Sequence, residues 1–188
     1  MANVDRPNGF RPVKTFSGAP VTSVVRAIGV TDGADIFVGD MLNLASGLAA
    51  VAATNDAALL GVAVGFAKVD SMSNLALGGN FNPSDLTVRY YDDSANTHTD
   101  WVVFYVPVDD VIFEAQTATA LTKLVGETVD ILATAGDSVT GQSRQEITTS
   151  TNADFTVVEV PVRADNDSTA VWGRYWVMVT RAEQAFHA

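Results

Sequence analysis

Trp101-Val102-Val103-Phe104-Tyr105-Val106 is an unbroken run of aromatic and β-branched residues. Such side chains are stiff in a helix and pack well on a pleated surface, so the run predicts a strand. The same composition recurs outward from it in short pieces separated by turn chemistry. Upstream lie Val24–Val30, closed by Asp32-Gly33, and Ile36-Phe37-Val38, which leads through Gly39-Asp40 into Met41-Leu42-Asn43-Leu44. Leu59–Val69, interrupted by Gly61 and Gly65, and the partly alternating Leu86–Tyr91 follow. Downstream come Val111–Phe113, Val129–Leu132, Phe155–Val162 and Trp172–Val179. About nine short strands at this spacing predict an all-β chain, a compact sandwich or barrel. Helix is scarce. Ala118–Val125 and Arg181–Phe186 are each expected to form a short one, while Gly47, Thr54 and Asn55 interrupt the alanine-rich Ala45–Ala58.

The 188 residues suit one domain, and 47% hydrophobic content excludes wholesale disorder. Eleven basic side chains against 22 acidic ones give a net charge of −11, the wrong sign for neutralising phosphates, so direct nucleic-acid binding is not expected. The absence of cysteine excludes a disulfide scaffold, an iron–sulfur cluster, a thiol nucleophile and cysteine-ligated zinc. The richest apolar region, Met41–Lys68, is broken at Asn55-Asp56, and its charge-free pieces fall short of the ~20 residues a membrane span needs. Met1–Pro20 has no apolar core for a signal peptide, so synthesis in the cytoplasm without export is expected.

Residues 1–20 differ from the rest. They hold Pro7, Pro12 and Pro20, half of the chain's 6 prolines, with Gly9 and Gly18. Proline fixes φ and lacks a donor, which favours extended chain outside a central strand. Arg6, Arg11 and Lys14 against Asp5 make this segment +2, leaving −13 for residues 21–188. The expected organisation is an extended basic N-terminal arm over 1–20 and a single β-rich domain over 21–188. A solvated tail has little use for Phe10, Val13 and Phe16, whereas an arm docked on a neighbour does. Arg6, Phe10, Arg11, Lys14 and Phe16 are therefore the candidate contact residues. Two loops, Asp70–Asp85 and Ala135–Asp154, are long enough to be disordered or engaged with a partner.

Tests for chemistry fail in turn. The histidines are His98, in a polar run, and His187, next to last, and no G-x-S-x-G elbow is present. Gly136-Asp-Ser-Val-Thr-Gly141-Gln142-Ser143 resembles a phosphate loop only superficially, with Gln142 in the lysine position and Asp137 inside the cradle. Asp92-Asp93, Asp109-Asp110 and Asp165-Asn166-Asp167 supply carboxylates but no complete cation site, and Asp and Asn are ordinary turn residues. No cofactor, metal site or enzymatic activity is expected. The pairs Trp101/Tyr105 and Trp172/Trp176 would share a face if strand alternation holds, which suits core, subunit packing or a carbohydrate platform.

Several segments together resemble the head-decoration, or cement, proteins of tailed bacteriophages. The opening Met1-Ala-Asn-Val-Asp-Arg-Pro-Asn-Gly-Phe-Arg-Pro-Val-Lys14 carries most of the likeness. Phe37-Val-Gly-Asp40, Leu60-Gly-Val-Ala-Val-Gly-Phe66, Asp109-Asp-Val-Ile-Phe-Glu-Ala-Gln116, Thr140-Gly-Gln-Ser143 with Gln145-Glu146, and Arg163-Ala-Asp-Asn166 add to it. The ending departs: where such proteins often finish with an Ile-Asn-x-His-like sequence, this chain has Val179-Thr-Arg-Ala-Glu183. The resemblance implies a virion protein on the capsid surface, commonly a homotrimer, that binds the lattice of a major capsid protein. A tail or fibre-base subunit and a carbohydrate-binding β-sandwich are the competing readings.

Overall fold

The computed structural model describes residues 3–54, 56–69, 81–82 and 88–186. His187 and most of the Asp70–Asp85 loop lie outside the described residues. The fold is all-β, as expected, with 45% of the described residues in strands or β-bridges. Sheet A has the order β1-β10-β14-β13-β11-β12, comprising Arg11–Thr15, Val111–Gln116, Arg174–Val179, Phe155–Glu159, Thr128–Leu132 and Glu146–Thr149. Sheet B has the order β2-β9-β6-β4-β5, comprising Arg26–Gly29, Trp101–Pro107, Leu59–Val69, Met41–Ala45 and Leu48–Val51, with β7 (Phe81–Asn82) beside β6. A two-stranded ladder joins β3 (Ile36–Phe37) to β8 (Tyr90–Tyr91).

Two cores explain the layering. The first lies between the sheets, where Met41, Leu59, Val62 and Val106 of sheet B meet Phe113, Val129, Ile131, Phe155, Val157, Tyr175 and Val177 of sheet A. The second lies on the other face of sheet B and holds Leu42, Leu60, Ala63, Trp101, Val103 and Tyr105. Sheet B curls around this second cluster until the chain after β2 reaches β5, through a Val30–Ala49 bridge and a Thr31 N–H donated to Ala49 O at 2.8 Å. The β3–β8 ladder joins this core through Ile36 and Tyr91, with Phe37 stacked on Tyr90 at 4.7 Å.

The two expected helices do not form as such. Over Ala118–Val125 the backbone is irregular: Ala118 N–H bonds Ile147 O, Gly126 N–H bonds Val157 O, and Leu121 inserts into the first core. Neighbouring strands satisfy groups that a helix would have paired internally. At the C-terminal end only Arg181–Glu183 makes a single 3-10 turn. The alanine-rich stretch is a hairpin, β4–β5, turning at Ser46 and Gly47, both in the left-handed region. Among the described residues no helix is long and apolar enough to cross a membrane.

Candidate functional site

The basic N-terminal segment is built into the body. Asn3, itself buried, donates its side-chain amide to Asp167 O (2.7 Å) and Val171 O (3.0 Å) and accepts from Asp167 N–H (2.8 Å). Arg6 N–H bonds Gln116 Oε1 at 3.2 Å, and Gln116 Nε2 reaches Asp5 Oδ1 at 3.2 Å. Gly9 follows at φ +65°, and a Cβ there would lie 2.1 Å from Gly39 O. Only glycine permits this approach. Phe10 then donates its N–H to Gly39 O (2.8 Å) and stacks its ring on Phe155 at 4.8 Å between the sheets. Arg11–Thr15 continues as β1, pairing antiparallel with β10 and shifting register between Pro12 and Lys14.

The expected free arm is therefore, from Asn3 to Thr15, a strap across its own domain. Phe10 is 1% exposed and belongs to this chain's core, which corrects its expected role as an anchor on a neighbour. Phe16, at 72% exposed in the turn after β1, keeps the availability that role needs. Sequence reasoning missed the distinction because both phenylalanines sit in Pro- and Gly-punctuated chain with no periodicity to separate them.

The segments quoted above for their family likeness meet around this strap. Gly39 N–H bonds Ala63 O, and Ala63 N–H bonds Asp40 O. Val38 N–H bonds Gly141 O, and Ser143 N–H bonds Val38 O. The Ala135–Asp154 loop is accordingly ordered at its centre, with Ser143 and Gln145 buried. Gln145 Oε1 accepts from Met41 N–H at 2.6 Å, while its Nε2 donates to Ala52 O at 3.1 Å. Burial pushes the Asp40 carboxyl up to about 6, against the opposing hydrogen bonds from Ser143 and Phe37 N–H.

Along the outer face of sheet A, the strap's cations meet those of the late turn. Lys14 Nζ lies 4.6 Å from the centre of the Trp176 ring and 3.4 Å from Glu159. Trp176 Nε1 donates to Glu114 at 3.0 Å, Arg163 also bonds Glu114, and Arg174 pairs with Asp165 at 3.2 Å. Burial pushes the Glu114 carboxyl up, but the bonds from Trp176 and Arg163 and the nearby charges of Arg163 and Arg174 outweigh it and hold it below its usual value. A polar cleft of about 270 Å³ opens beside the strap, lined by Arg6, Asn8, Arg11, Glu114, Gln116, Asp165 and Arg174 among others. Of the five candidate residues, Arg6 and Arg11 share this cleft, Lys14 lies on the same face, Phe16 ends the strap and Phe10 is buried.

The remaining aromatic expectations divide. Trp101 and Tyr105 do share a face, but both are buried in the second core, with Trp101 6% exposed and unavailable as a binding platform. Trp172 is not in β14. It sits in the preceding turn at φ +62°, 36% exposed, so it does not alternate with Trp176. Among the described residues no group of three or more His, Asp or Glu side chains is arranged to hold a metal ion. The acidic pairs serve turns: Asp110 accepts from Ser17 N–H at 3.1 Å, and Asp92 accepts from Ser94 and from Ala95 N–H. Compared with family models, with curated proteins and with solved structures, the chain matches none.

Proposed function

We propose that this chain is a structural virion protein that decorates a phage capsid, seating the outer face of sheet A on the lattice of the major capsid protein, as a homotrimer. The observation that carries the reading is the placement of charge. Five of the eleven basic side chains, Arg6, Arg11, Lys14, Arg163 and Arg174, gather around the strap on one face of a chain whose net charge is −11. Three of these cations pair with Glu159, Glu114 and Asp165, so this face offsets its own carboxylates on an otherwise acidic body; that asymmetry gives an orientation for docking, and the acidic remainder keeps free copies soluble and repels packaged DNA. Many modest contacts repeated over a lattice then sum to tight retention. The sequence resemblance supports the same reading.

Sedimentation with purified heads of the encoding virus tests it. Deleting residues 1–20 would remove β1 and the core ring of Phe10, so point substitutions are needed. Wild-type protein co-sediments at a fixed ratio to the shell subunit, and a Lys14→Gln/Phe16→Ser variant binds at least about tenfold more weakly with unchanged thermal stability. Wild-type protein that stays in the supernatant overturns the proposal, and cryo-EM density on the tail instead of the shell replaces it with the tail-subunit reading.

A further inference from the structure

Three guanidinium groups, of Arg6, Arg11 and Arg174, line the cleft beside the strap against two carboxylates, while Asp5 and Glu146 are held next to it by the Gln116 amide. The cleft's two carboxylates are already engaged, Glu114 by Arg163 and Trp176 and Asp165 by Arg174. Arg6 and Arg11, on its strap side, have no ion-pair partner among the described residues. A guanidinium presents its donors as a planar fork matched to a carboxylate, so two free ones at a concave site complement an incoming acidic side chain. The rim has a second chemistry. Asn3 ties the start of the strap to the 167–171 turn, and beside it Val4, Val171 and Trp172 remain exposed. These three do not line the cleft itself, but Val4 is two residues from Arg6 and Trp172 two from Arg174, which gives a partner segment apolar side chains to meet next to the charged ones. Trp172 keeps its side chain there from a left-handed backbone that costs a bulky residue energy.

β1 is the edge of sheet A, but Pro12 removes a donor and the register shift between Pro12 and Lys14 breaks the ladder. Both features disfavour a partner strand along this edge, which leaves recognition to side chains. The geometry points to the Arg6–Arg11 cleft as a receptor for an Asp or Glu side chain from a partner segment in which acidic and apolar residues alternate. Resting on the decoration reading, that segment belongs to the shell protein.

The test titrates a short capped Glu-Leu-Gly repeat peptide, its Gln-Leu-Gly counterpart and inorganic phosphate into the full-length protein, read by calorimetry and tryptophan fluorescence. The Glu peptide binds saturably, and the Gln peptide binds at least about tenfold more weakly. An Arg6→Gln/Arg11→Gln variant with unchanged melting temperature loses about tenfold toward the Glu peptide, whereas Arg144→Gln, whose pair with Asp137 lies outside the cleft, loses nothing. Equal affinity for the two peptides, no binding of either, or an unaffected double variant overturns the assignment. Phosphate binding as tightly as the Glu peptide also overturns it, by making the cleft a small-anion pocket. The head-sedimentation assay separates the two proposals. A double variant that loses the peptide yet still decorates heads removes the cleft's role alone, and wild-type protein that takes the peptide but ignores heads removes decoration alone.

Discussion

Phe10 and Phe16 are six residues apart in one basic, proline-rich segment, and the fold assigns them opposite energetics. The Phe10 ring is fully buried against Phe155, whereas Phe16 is largely in solvent. A phenylalanine buries ~150–250 Å², which at ~25 cal/mol per Å² amounts to roughly 4–6 kcal/mol as an upper bound. Truncations of buried phenylalanine to alanine cost ~3–5 kcal/mol, so about 4 kcal/mol is expected for Phe10→Ala. In a domain of this size each kcal/mol moves the melting temperature by about 3 °C, giving a fall of about 12 °C. Phe16→Ala should stay within about 0.5 kcal/mol, as exposed substitutions do. Urea unfolding and calorimetry on both variants provide the measurement. A Phe10→Ala loss below about 1 kcal/mol would refute the reasoning, because the strap would then contribute nothing to the core and would be a detachable arm after all.

Two further outcomes follow from the same junction. The folded-state pKa values of Asp40 and Asp154, both pushed up to about 6 by burial, lie above the ordinary carboxyl value, so the folded form binds these protons more tightly than the unfolded form. Stability should rise by on the order of 1–3 kcal/mol as pH falls from 7 to about 4.5, then decline at lower pH as Asp130, held at about 2 despite its burial by backbone N–H donors of the 151–154 turn, is protonated; urea midpoints that stay flat between pH 7 and 5, or an Asp40→Asn variant with an unchanged profile, contradict this. Gly9 and Gly18 both have positive φ, but a Cβ at Gly9 meets the Gly39 carbonyl while one at Gly18 meets nothing within 4 Å. Gly18→Ala should therefore cost only the ~1–2 kcal/mol of left-handed strain, whereas Gly9→Ala should displace the strap and lower the melting temperature much further; equal losses would show that the close approach is not a constraint.

Most of the sheet-forming sequence was legible, and what was hidden had specific causes. β9 announced itself because every residue from Trp101 to Val106 favours a strand and most of them are buried. β1 was concealed by Pro12, which an edge position tolerates, since its missing donor faces away from the ladder. β5, Leu-Ala-Ala-Val, carries alanine's helical preference and is a strand only because Ser46 and Gly47 turn it back onto β4. β12 was lost in a Thr- and Ser-rich loop whose one apolar residue there, Ile147, is fully buried. Of the candidate site, the strap's own cations Arg6, Arg11 and Lys14 were legible as charge, but the placement of Arg174, Glu114 and Gln116 beside them was not. They join Arg6 and Arg11 only through pairings of β1 with β10 and β10 with β14, which span about a hundred and about sixty positions.

The strap's hydrogen bonds also set an order of events during synthesis. Asn3 is made well before its partners at Asp167 and Val171, which follow it by 164 and 168 positions. Until residues 155–179 have emerged, Phe10 lacks the Phe155 ring, Asn3 lacks the 167–171 turn, and β10, although β1 is already made, lacks its other neighbour β14. A segment made early is thus fixed late, and a translation product that stops before β13 leaves the Phe10 ring unmasked.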